Sequence, residues 1–274
     1  MRTCLFSFMA FGAAVAWGQG NLPQIAPGGI ANGASFQAIP LTAGSLFSIF
    51  GSGLASQMAS ASTIPFSQSL GGVTVQFVNG STTIDAPVSY VQPGAGTSSQ
   101  INAQVPWELA TAGTVNLVVS NNGVASAPTP VTIAPFSPGI FGFNAASGTF
   151  ALAYTYADGM FAWPANAVQG LTTHPAAPGS LLIVYATGLG AVNQTIADGA
   201  APGSVLTSVN TPPQVLIGGI SALVEFAGLT PQFPGVNQLN IIVPANAPTG
   251  NAVPIQIQVG GVSSPATFTI AVGN

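Results

Sequence analysis

The chain has 274 residues, of which one is basic and five are acidic, and the basic residue is Arg2. An ordinary soluble domain has about a quarter of its residues charged. Because phosphate recognition needs Lys or Arg, this composition argues against nucleic acid and anionic membrane surfaces as partners. Without ion pairs to Lys or Arg, the melting temperature is expected to be nearly constant between about pH 5 and 8.

The first residues predict a secretory signal. The segment MRTCLFSFMAFGAAVAWGQG has one positive charge, an apolar stretch over Leu5–Trp17 and then small residues. We predict a signal over 1–18 that is cleaved before Gln19, with a cut after Ala16 as the alternative. A retained membrane anchor is the competing interpretation, but about 13 apolar residues fall short of a membrane span. Since Cys4 lies in this segment, the mature chain has no cysteine for a disulfide, a thiolate or a metal site.

A linker, 19–28, is predicted to precede a first β-sandwich over 29–136. The stretch VTVQFVNGS alternates apolar and polar residues, which places Val73, Val75 and Phe77 on one face of a strand. The Asn-Gly pair in NLVVSNNGVAS is favoured in tight hairpin turns. Turn residues interrupt such strands throughout the region, which is typical of an all-β domain.

The segment 137–175 is predicted to be a β-hairpin that links or braces two domains. Within it, FALAYTYADGMFAW contains two alternating strands around an Asp158-Gly159 turn. The segment is rich in aromatic residues rather than Ser and Gly, so a flexible tether is not expected. A second β-sandwich is predicted over 176–274, where PIQIQVGGVSS and ATFTIAVGN again alternate.

The two halves of the chain repeat each other. AGSLFSIFGSGLA, from Ala43, aligns with PGSLLIVYATGLG, from Pro178, and QINAQVPWELATAG, from Gln100, aligns with QLNIIVPANAPTG, from Gln238. The aligned pairs are Gly44 with Gly179, Gly53 with Gly188, Asn102 with Asn240, and Pro106 with Pro244. The repeat indicates a duplicated domain, in which the glycines occupy turns or bulges and the prolines mark strand ends.

About seven short strands per domain with Gly-rich turns predict an immunoglobulin-like sandwich. The ordered series GIANGASFQ, LTAGSLFSIFGSGLA, SLGGVTVQF, QINAQVPWE, NNGVASAP, SPGIF, LLIVYATGLG and IQVGGVSSP resembles the Solibacter-type C-terminal domain family. The resemblance runs from about Gly29 to Asn274. It implies two tandem immunoglobulin-like domains of the IPT/TIG (E-set) type in a secreted acidobacterial protein. It brings no established activity and no catalytic residues.

Catalysis is not expected from these residues. The single histidine, His174, lies in a loop, and no Gly-x-Ser-x-Gly motif supplies a nucleophile for it. Asp158 and Asp198 each precede a glycine and predict turns, where Asp caps the backbone. No Asp-x-Asp loop predicts a calcium site. We therefore expect no enzyme activity, no cofactor and no metal.

Asn102 and Asn240 permit two interpretations. Each follows an inward apolar residue and either faces outward to bind a sugar or a partner, or ties a neighbouring loop to its strand. Their return in both domains favours a backbone-bonding role, because duplicated domains share a fold more readily than a ligand site.

Five aromatic residues near the predicted domain junction are the best candidates for ligand contacts: Trp107, Tyr154, Tyr156, Phe161 and Trp163. Stacking on exposed rings is one way to hold an uncharged polysaccharide. Burial statistics for aromatic residues favour the alternative, in which they form a core between the two sandwiches.

These observations predict a noncatalytic extracellular interaction or adhesion module. The expected ligand is a polysaccharide or another cell-surface protein, and no membrane insertion is expected after signal removal. A self-associating structural protein of the cell surface or matrix is the alternative, and a secreted enzyme ranks third. The periplasm, the cell surface and the medium all fit a cleaved signal.

Overall fold

Alternating apolar and polar residues form strands in both halves of the chain. The computed structural model describes residues 22–95, 98–111 and 113–273, so the predicted signal, 1–18, lies outside the described residues. Within these ranges the helical structure is a single 3-10 turn, Trp107–Leu109, and no helix is long and apolar enough to cross a membrane. The predicted all-β sandwich fold is confirmed.

The first sandwich is built from the strands that precede residue 137. They are β1 (Gln24–Asn32), β2 (Leu46–Ser52), β3 (Ala59–Ser60), β4 (Ser69–Leu70), β5 (Val73–Asn79), β6 (Thr82–Asp85), β7 (Val88–Gln92), β8 (Ser99–Gln104), β9 (Thr114–Asn121), β10 (Val124–Ala125) and β11 (Thr129–Thr132). One sheet has the order β1-β2-β8-β7-β3, and the other has the order β10-β9-β5-β4 with β11 beside β9 and β6 beside β5. Part of the predicted linker, 19–28, is strand, because Gln24 and Ile25 pair with the end of β2.

The core of the first sandwich lies between these two sheets. Val73, Val75 and Phe77 of β5 are each 0% exposed, as the alternating pattern predicts. Phe77 packs against Phe47 of β2, with ring centroids 5.6 Å apart. Complete burial of such a side chain stabilises the fold by about 1.5–3 kcal/mol, so this face of β5 fixes the register of the sheet.

The second sandwich contains the remaining strands. They are β12 (Gly139–Ile140), β13 (Gly142–Ala145), β14 (Gly148–Ala151), β15 (Ala153–Thr155), β16 (Leu181–Thr187), β17 (Gln214–Ile217), β18 (Ile220–Leu229), β19 (Asn237–Ile242), β20 (Gly250–Val259), β21 (Val262–Ser263) and β22 (Thr269–Val272). Hydrogen bonds join neighbouring strands in the order β12-β16-β19-β18-β17-β20-β22-β14-β13, with β15 beside β16 and β21 beside β20.

The segment 137–175 is part of this second sandwich. β12 and β15 pair with β16, and β14 pairs with β22. Ile140 and Ala153 are buried in the core of the second sandwich. The predicted Asp-Gly turn lies between Tyr154 and Phe161, which form an antiparallel bridge. The segment therefore extends the sheet of the second domain, and it also contacts the first sandwich, where Asn32 Nδ2 donates to the Ser137 carbonyl oxygen at 2.9 Å.

One strand of the second sandwich belongs to both of its layers. The start of β18, Ile220–Ala222, pairs with β17, whereas the rest, from Leu223 onward, pairs with β19, with a bulge between Val224 and Phe226. In the first sandwich the same path is divided into β6, which pairs with β5, and β7, which pairs with β8. Pro87 lies at this division, and proline cannot donate to a strand ladder.

The repeated motifs bond to each other within each domain. Gly44 N–H donates to the Val105 carbonyl oxygen at 2.8 Å, and Val105 N–H donates to the Ser45 carbonyl oxygen at 2.9 Å. The second sandwich repeats both bonds through Gly179 and Val243. All four repeated glycines have positive φ, and β8 and β19 end shortly before the repeated prolines, as predicted. The two motifs recur together because each provides the other's hydrogen-bond partner.

The two sandwiches meet at a junction that contains several buried hydrogen bonds between uncharged groups. Leu46 N–H donates to Thr187 Oγ1 at 2.9 Å, and Gly199 N–H donates to Gln104 Oε1 at 2.7 Å. The Thr187 and Gln104 side chains are both 0% exposed. Phe66 N–H donates to the Gly199 carbonyl oxygen at 2.8 Å. A Cβ at residue 199 would lie 2.7 Å from the Phe66 carbonyl oxygen, so this close approach requires glycine.

Candidate functional site

Amide and aromatic side chains occupy the outer face of one sheet in the first sandwich. Phe50 of β2 pairs with Gln100 of β8, and Tyr90 of β7 pairs with Asn102 of β8. Paired residues of antiparallel strands project from the same face. Because Ile101, between the two amides, is completely buried in the core, the four side chains point outward. These four residues are termed surface I.

The second sandwich repeats this arrangement at the same register. Tyr185 of β16 pairs with Gln238 of β19, and Phe226 of β18 pairs with Asn240 of β19. These four residues are termed surface II. In both surfaces a Gln-x-Asn pair lies between two aromatic residues from the neighbouring strands, and all eight side chains are half-buried.

The amide side chains of each surface bond to one another. Gln100 Nε2 donates to Asn102 Oδ1, and Gln238 Nε2 donates to Asn240 Oδ1, each at 2.8 Å. In the described part of the chain the Asn side chains do not make the backbone hydrogen bonds predicted for them; their oxygens accept from side chains instead, and Asn102 Oδ1 also accepts from Ser48 Oγ at 2.9 Å. Over the same residues, the side-chain Oε1 of each Gln and the side-chain Nδ2 of each Asn have no protein partner. Each surface therefore presents a free hydrogen-bond acceptor beside a free donor.

A third aromatic ring extends surface I. Phe36 is 55% exposed and lies against Phe50, with ring centroids 6.2 Å apart. Its φ is +54°, which is unusual for a bulky residue and costs about 1–3 kcal/mol. The turn is held by a hydrogen bond from Phe36 N–H to the Asn32 carbonyl oxygen at 2.9 Å. Phe36 therefore adds exposed aromatic area beside Phe50.

A tyrosine pair extends surface II in the same direction. Tyr154 of β15 lies against Tyr185, with ring centroids 5.9 Å and hydroxyl oxygens 3.2 Å apart. Burial, and then the hydrogen bond with Tyr154, raise the pKa of Tyr185 to about 12. Both surfaces therefore have an aromatic pair on one flank and a single ring on the other, and the Tyr185 hydroxyl keeps its proton at neutral pH.

The two surfaces differ in their immediate borders. The bulge residue beside the single ring is Ser89 in the first sandwich and Glu225 in the second. Surface II also borders a groove of about 410 Å³ that Val205 and Leu206 help to line. Leu206 is 71% exposed. Surface II thus adds a carboxylate acceptor and an apolar wall to the shared arrangement.

The five aromatic residues predicted as ligand contacts lie in different places. Trp163 is 2% exposed and stacks on Phe161, with centroids 4.4 Å apart, inside the second sandwich. Tyr154 belongs to the flank of surface II, and Tyr156 is 68% exposed. Trp107 lies at the junction of the two sandwiches. The five residues therefore form neither one exposed platform nor one core between the sandwiches.

The single histidine is engaged in an ion pair at the predicted turn. His174 Nε2 lies 2.8 Å from Asp158 Oδ2, and Nδ1 lies 2.7 Å from the Pro175 carbonyl oxygen. Both partners are acceptors, so the doubly protonated ring fits this arrangement, and the Pro175 carbonyl and then Asp158 raise the pKa of His174. Hydrogen bonds from Thr155 and Met160 N–H, and then from His174, lower the pKa of Asp158 to about 2. Contacts at both ring nitrogens thus fasten the turn.

The Asp198 carboxylate forms a hydrogen bond across the junction between the sandwiches. Asp198 Oδ1 accepts a hydrogen bond from Trp107 N–H at 2.9 Å. Burial raises the pKa of Asp198 to about 6; the Trp107 N–H opposes this shift and the Glu108 side chain adds to it. Thr42 Oγ1 and Trp107 Nε1 are buried without a partner among the described residues, and both residues line a junction cavity of about 130 Å³.

Comparison with other proteins adds no relative, since the sequence matches no family model and no curated protein. The comparison of the two halves is more informative. The sequence repeat already aligns Gln100 with Gln238, and it aligns Phe50 with Tyr185 at the same 135-residue spacing that separates Gly44 from Gly179. The aromatic residues on β7 and β18 carry no such signal, because one strand of the second sandwich corresponds to two strands of the first.

Proposed function

We propose that this protein is a noncatalytic extracellular module that binds an uncharged glycan through surfaces I and II. The observation that supports the proposal is the recurrence of one arrangement, a Gln-x-Asn pair between two aromatic residues, at the same strand register in both sandwiches. Core packing explains why duplicated domains keep the same buried residues. It does not explain why they keep the same side chains on their outer faces.

Each surface presents the groups that a neutral sugar requires. Aromatic rings offer a large apolar area to the C–H face of a sugar. The free acceptor of the Gln and the free donor of the Asn match two adjacent hydroxyl groups. Each such hydrogen bond contributes only about 0.5–1.5 kcal/mol net, so a single surface is expected to bind weakly.

The composition favours an uncharged partner. After Arg2 the sequence contains no Lys or Arg, so a sulfated, phosphorylated or carboxylated glycan meets no side chain of these two types. Aromatic contacts and neutral hydrogen bonds are screened little by salt. Binding is therefore expected to keep its strength when the salt concentration rises.

Secretion, the immunoglobulin-like type and the family resemblance belong to the same proposal. Residues 1–18 have the pattern of a cleaved signal. The motif order from Gly29 to Asn274 resembles the Solibacter-type family with its IPT/TIG-like domains. Sequencing of the exported protein should give a new N-terminus between Trp17 and Asn21, whereas intact Met1 in a membrane fraction would favour the anchor.

A glycan array probed with the exported protein tests the function. We expect binding to uncharged glycans that is lost when Gln100, Asn102, Gln238 and Asn240 are all replaced by Ala. Gln214→Ala is a matched control, because this exposed Gln lies on β17, outside both surfaces. The proposal is wrong if the unaltered protein binds no glycan, or if the fourfold variant binds as well as the unaltered protein.

Self-association is the second candidate function. Leu206, Leu223 and Phe233 of the second sandwich are 71%, 64% and 55% exposed, and large exposed apolar side chains that cluster mark interaction surfaces. Light scattering coupled to size-exclusion chromatography decides this alternative. Oligomers that grow with concentration, and that the double change Leu206→Ser and Leu223→Ser abolishes, would favour assembly over ligand binding by a monomer.

A further inference from the structure

The outer faces that carry surfaces I and II both reach the junction of the two sandwiches. Leu46 and Gln104 pair with each other on the outer face of the first sheet, four positions along β2 and β8 from Phe50 and Gln100. Thr187 lies on the outer face of β16, two positions from the aromatic ring of surface II. The hydrogen bond from Leu46 N–H to Thr187 Oγ1 therefore joins the ends of the two faces.

This connection limits the distance between the surfaces. Tyr185 is two positions from Thr187, and Phe50 is four positions from Leu46. A strand advances about 3.3 Å per residue, so these two paths and the bond between them place the aromatic flanks within roughly 30 Å of each other. A polysaccharide is long enough to cover a path of this length.

The junction also holds the surfaces in a fixed relation. Gln104 accepts from Gly199 N–H and donates through Nε2 to the Gly44 carbonyl oxygen at 3.0 Å. Thr187 accepts from Leu46 N–H and donates to the Gly235 carbonyl oxygen at 2.7 Å. The completely buried side chains of Gln104 and Thr187 are thus each hydrogen-bonded to both sandwiches. The two domains are joined by packed contacts instead of a flexible Gly/Ser-rich linker.

We propose that surfaces I and II form one bivalent site that holds a single chain of uncharged polysaccharide at two points. The inference rests on the proposed function, because it assigns both surfaces to the same glycan. When one surface is occupied, the other meets the same polymer at an effective concentration in the millimolar range. Two weak contacts then bind a polymer about 10²–10⁴ times more tightly than one contact binds a short fragment.

Calorimetric titration of the whole exported protein tests this inference. The probes are four soluble uncharged polysaccharides, hydroxyethylcellulose, xyloglucan, galactomannan and dextran, each compared with a trisaccharide of its own backbone linkage. For the polysaccharide that binds, we expect at least about a hundredfold higher affinity than for its trisaccharide. We also expect two trisaccharides to bind per protein.

Variants separate bivalent binding from the statistical advantage of a polymer with many repeats. Replacing Gln100 and Asn102 by Ala should remove one of two trisaccharide sites and lower the polymer affinity by about 10²–10⁴-fold. Thr187→Val leaves both surfaces intact but removes the acceptor for Leu46 N–H. It should lower the polymer affinity severalfold without changing the trisaccharide affinity, whereas Gln214→Ala should change neither.

The outcomes distinguish the two proposals. If the Gln100/Asn102 variant binds the polymer as tightly as the unaltered protein and merely loses half of its capacity, the surfaces act independently, and the bivalent site is wrong while glycan binding stands. If the unaltered protein binds neither polymers nor trisaccharides, the proposed function itself is wrong. Circular dichroism verifies that each variant is folded, and the Gln100/Asn102 variant decides the question if Thr187→Val unfolds.

Discussion

Replacing Asp198 by Asn should stabilise the protein at neutral and alkaline pH and leave its stability unchanged near pH 4. The carboxylate is half-buried at the junction, where its Oδ1 accepts the Trp107 N–H. An Asn side chain offers an oxygen in the same position, so this hydrogen bond is retained. The substitution removes only the negative charge, which burial and the neighbouring Glu108 make unfavourable.

The structure gives the size and the sign of this effect. The pKa of Asp198 rises from its ordinary value of 3.8 to about 6, and one pKa unit corresponds to about 1.4 kcal/mol. This sets an upper bound of about 3 kcal/mol, and because solvent screens the partly exposed carboxylate, about 1–2 kcal/mol is expected. Since the folded state holds its proton more tightly than the unfolded state, stability falls as the pH rises through this window and stays lower above it.

Thermal unfolding followed by circular dichroism at pH 4, 6 and 8 measures the effect. At pH 8 the melting temperature of Asp198→Asn should exceed that of the unaltered protein by roughly 2–6 °C. Glu225→Gln, which neutralises an exposed carboxylate, is the matched control and should shift the melting temperature little. The reasoning is refuted if the two proteins have parallel pH profiles, or if Asp198→Asn is less stable at every pH.

This result would also correct the expectation from composition. The lack of Lys and Arg predicts a melting temperature that is nearly constant between about pH 5 and 8. Burial of one carboxylate at the junction introduces a pH dependence within that range, although no cation is involved. A count of charged residues does not predict this pH dependence, because the pKa of Asp198 is raised by burial against residues of the other sandwich.

Three further substitutions test other parts of the structure. His174→Gln should lower the melting temperature at pH 5 and not at pH 9, because the raised pKa gives stabilisation below pH 6.5 that is lost as the pH rises through the folded value; equal effects at both pH values would contradict the ion pair. Gly188→Ala should lower the free energy of unfolding in urea by at least about 2 kcal/mol, since its Cβ would clash with the Ser137 carbonyl oxygen. Gly261→Ala, at the same φ of +81° but in open space, should lower it less. Phe77→Ala should cost about 3–5 kcal/mol, against little change for the exposed Phe233→Ala; a small loss for Phe77 would mean that the core has been misassigned.

The strands and the duplication could be predicted from the sequence because their signals are local. The alternation around Val73, Val75 and Phe77 reports which face is buried, since successive strand residues point to opposite sides. The Asn122-Gly123 pair forms the expected tight turn, with φ of +50° and +81°. Repeated glycines and prolines fixed the correspondence of the two domains, because backbone geometry admits few other residues at those positions.

The placement of the 137–175 segment and of the candidate ligand contacts could not be predicted in this way. Phe150 of that segment pairs with Thr269, near the end of the chain, and no local pattern identifies so distant a partner. Trp163 is buried because the rings of Phe143, Phe150 and Phe161 pack against it. The surfaces depend on cross-strand pairs such as Phe226 with Asn240, which exist only once the sheet is assembled.

The passage of β18 from one layer to the other has a mechanical consequence. Under a stretching force, two layers held only by side-chain packing can slide over each other with little resistance. In the second sandwich such sliding must break a continuous backbone strand out of one ladder or the other. In the first sandwich the corresponding path is interrupted at Pro87, between β6 and β7. A load applied to both sandwiches should therefore extend the first while the second keeps its shape.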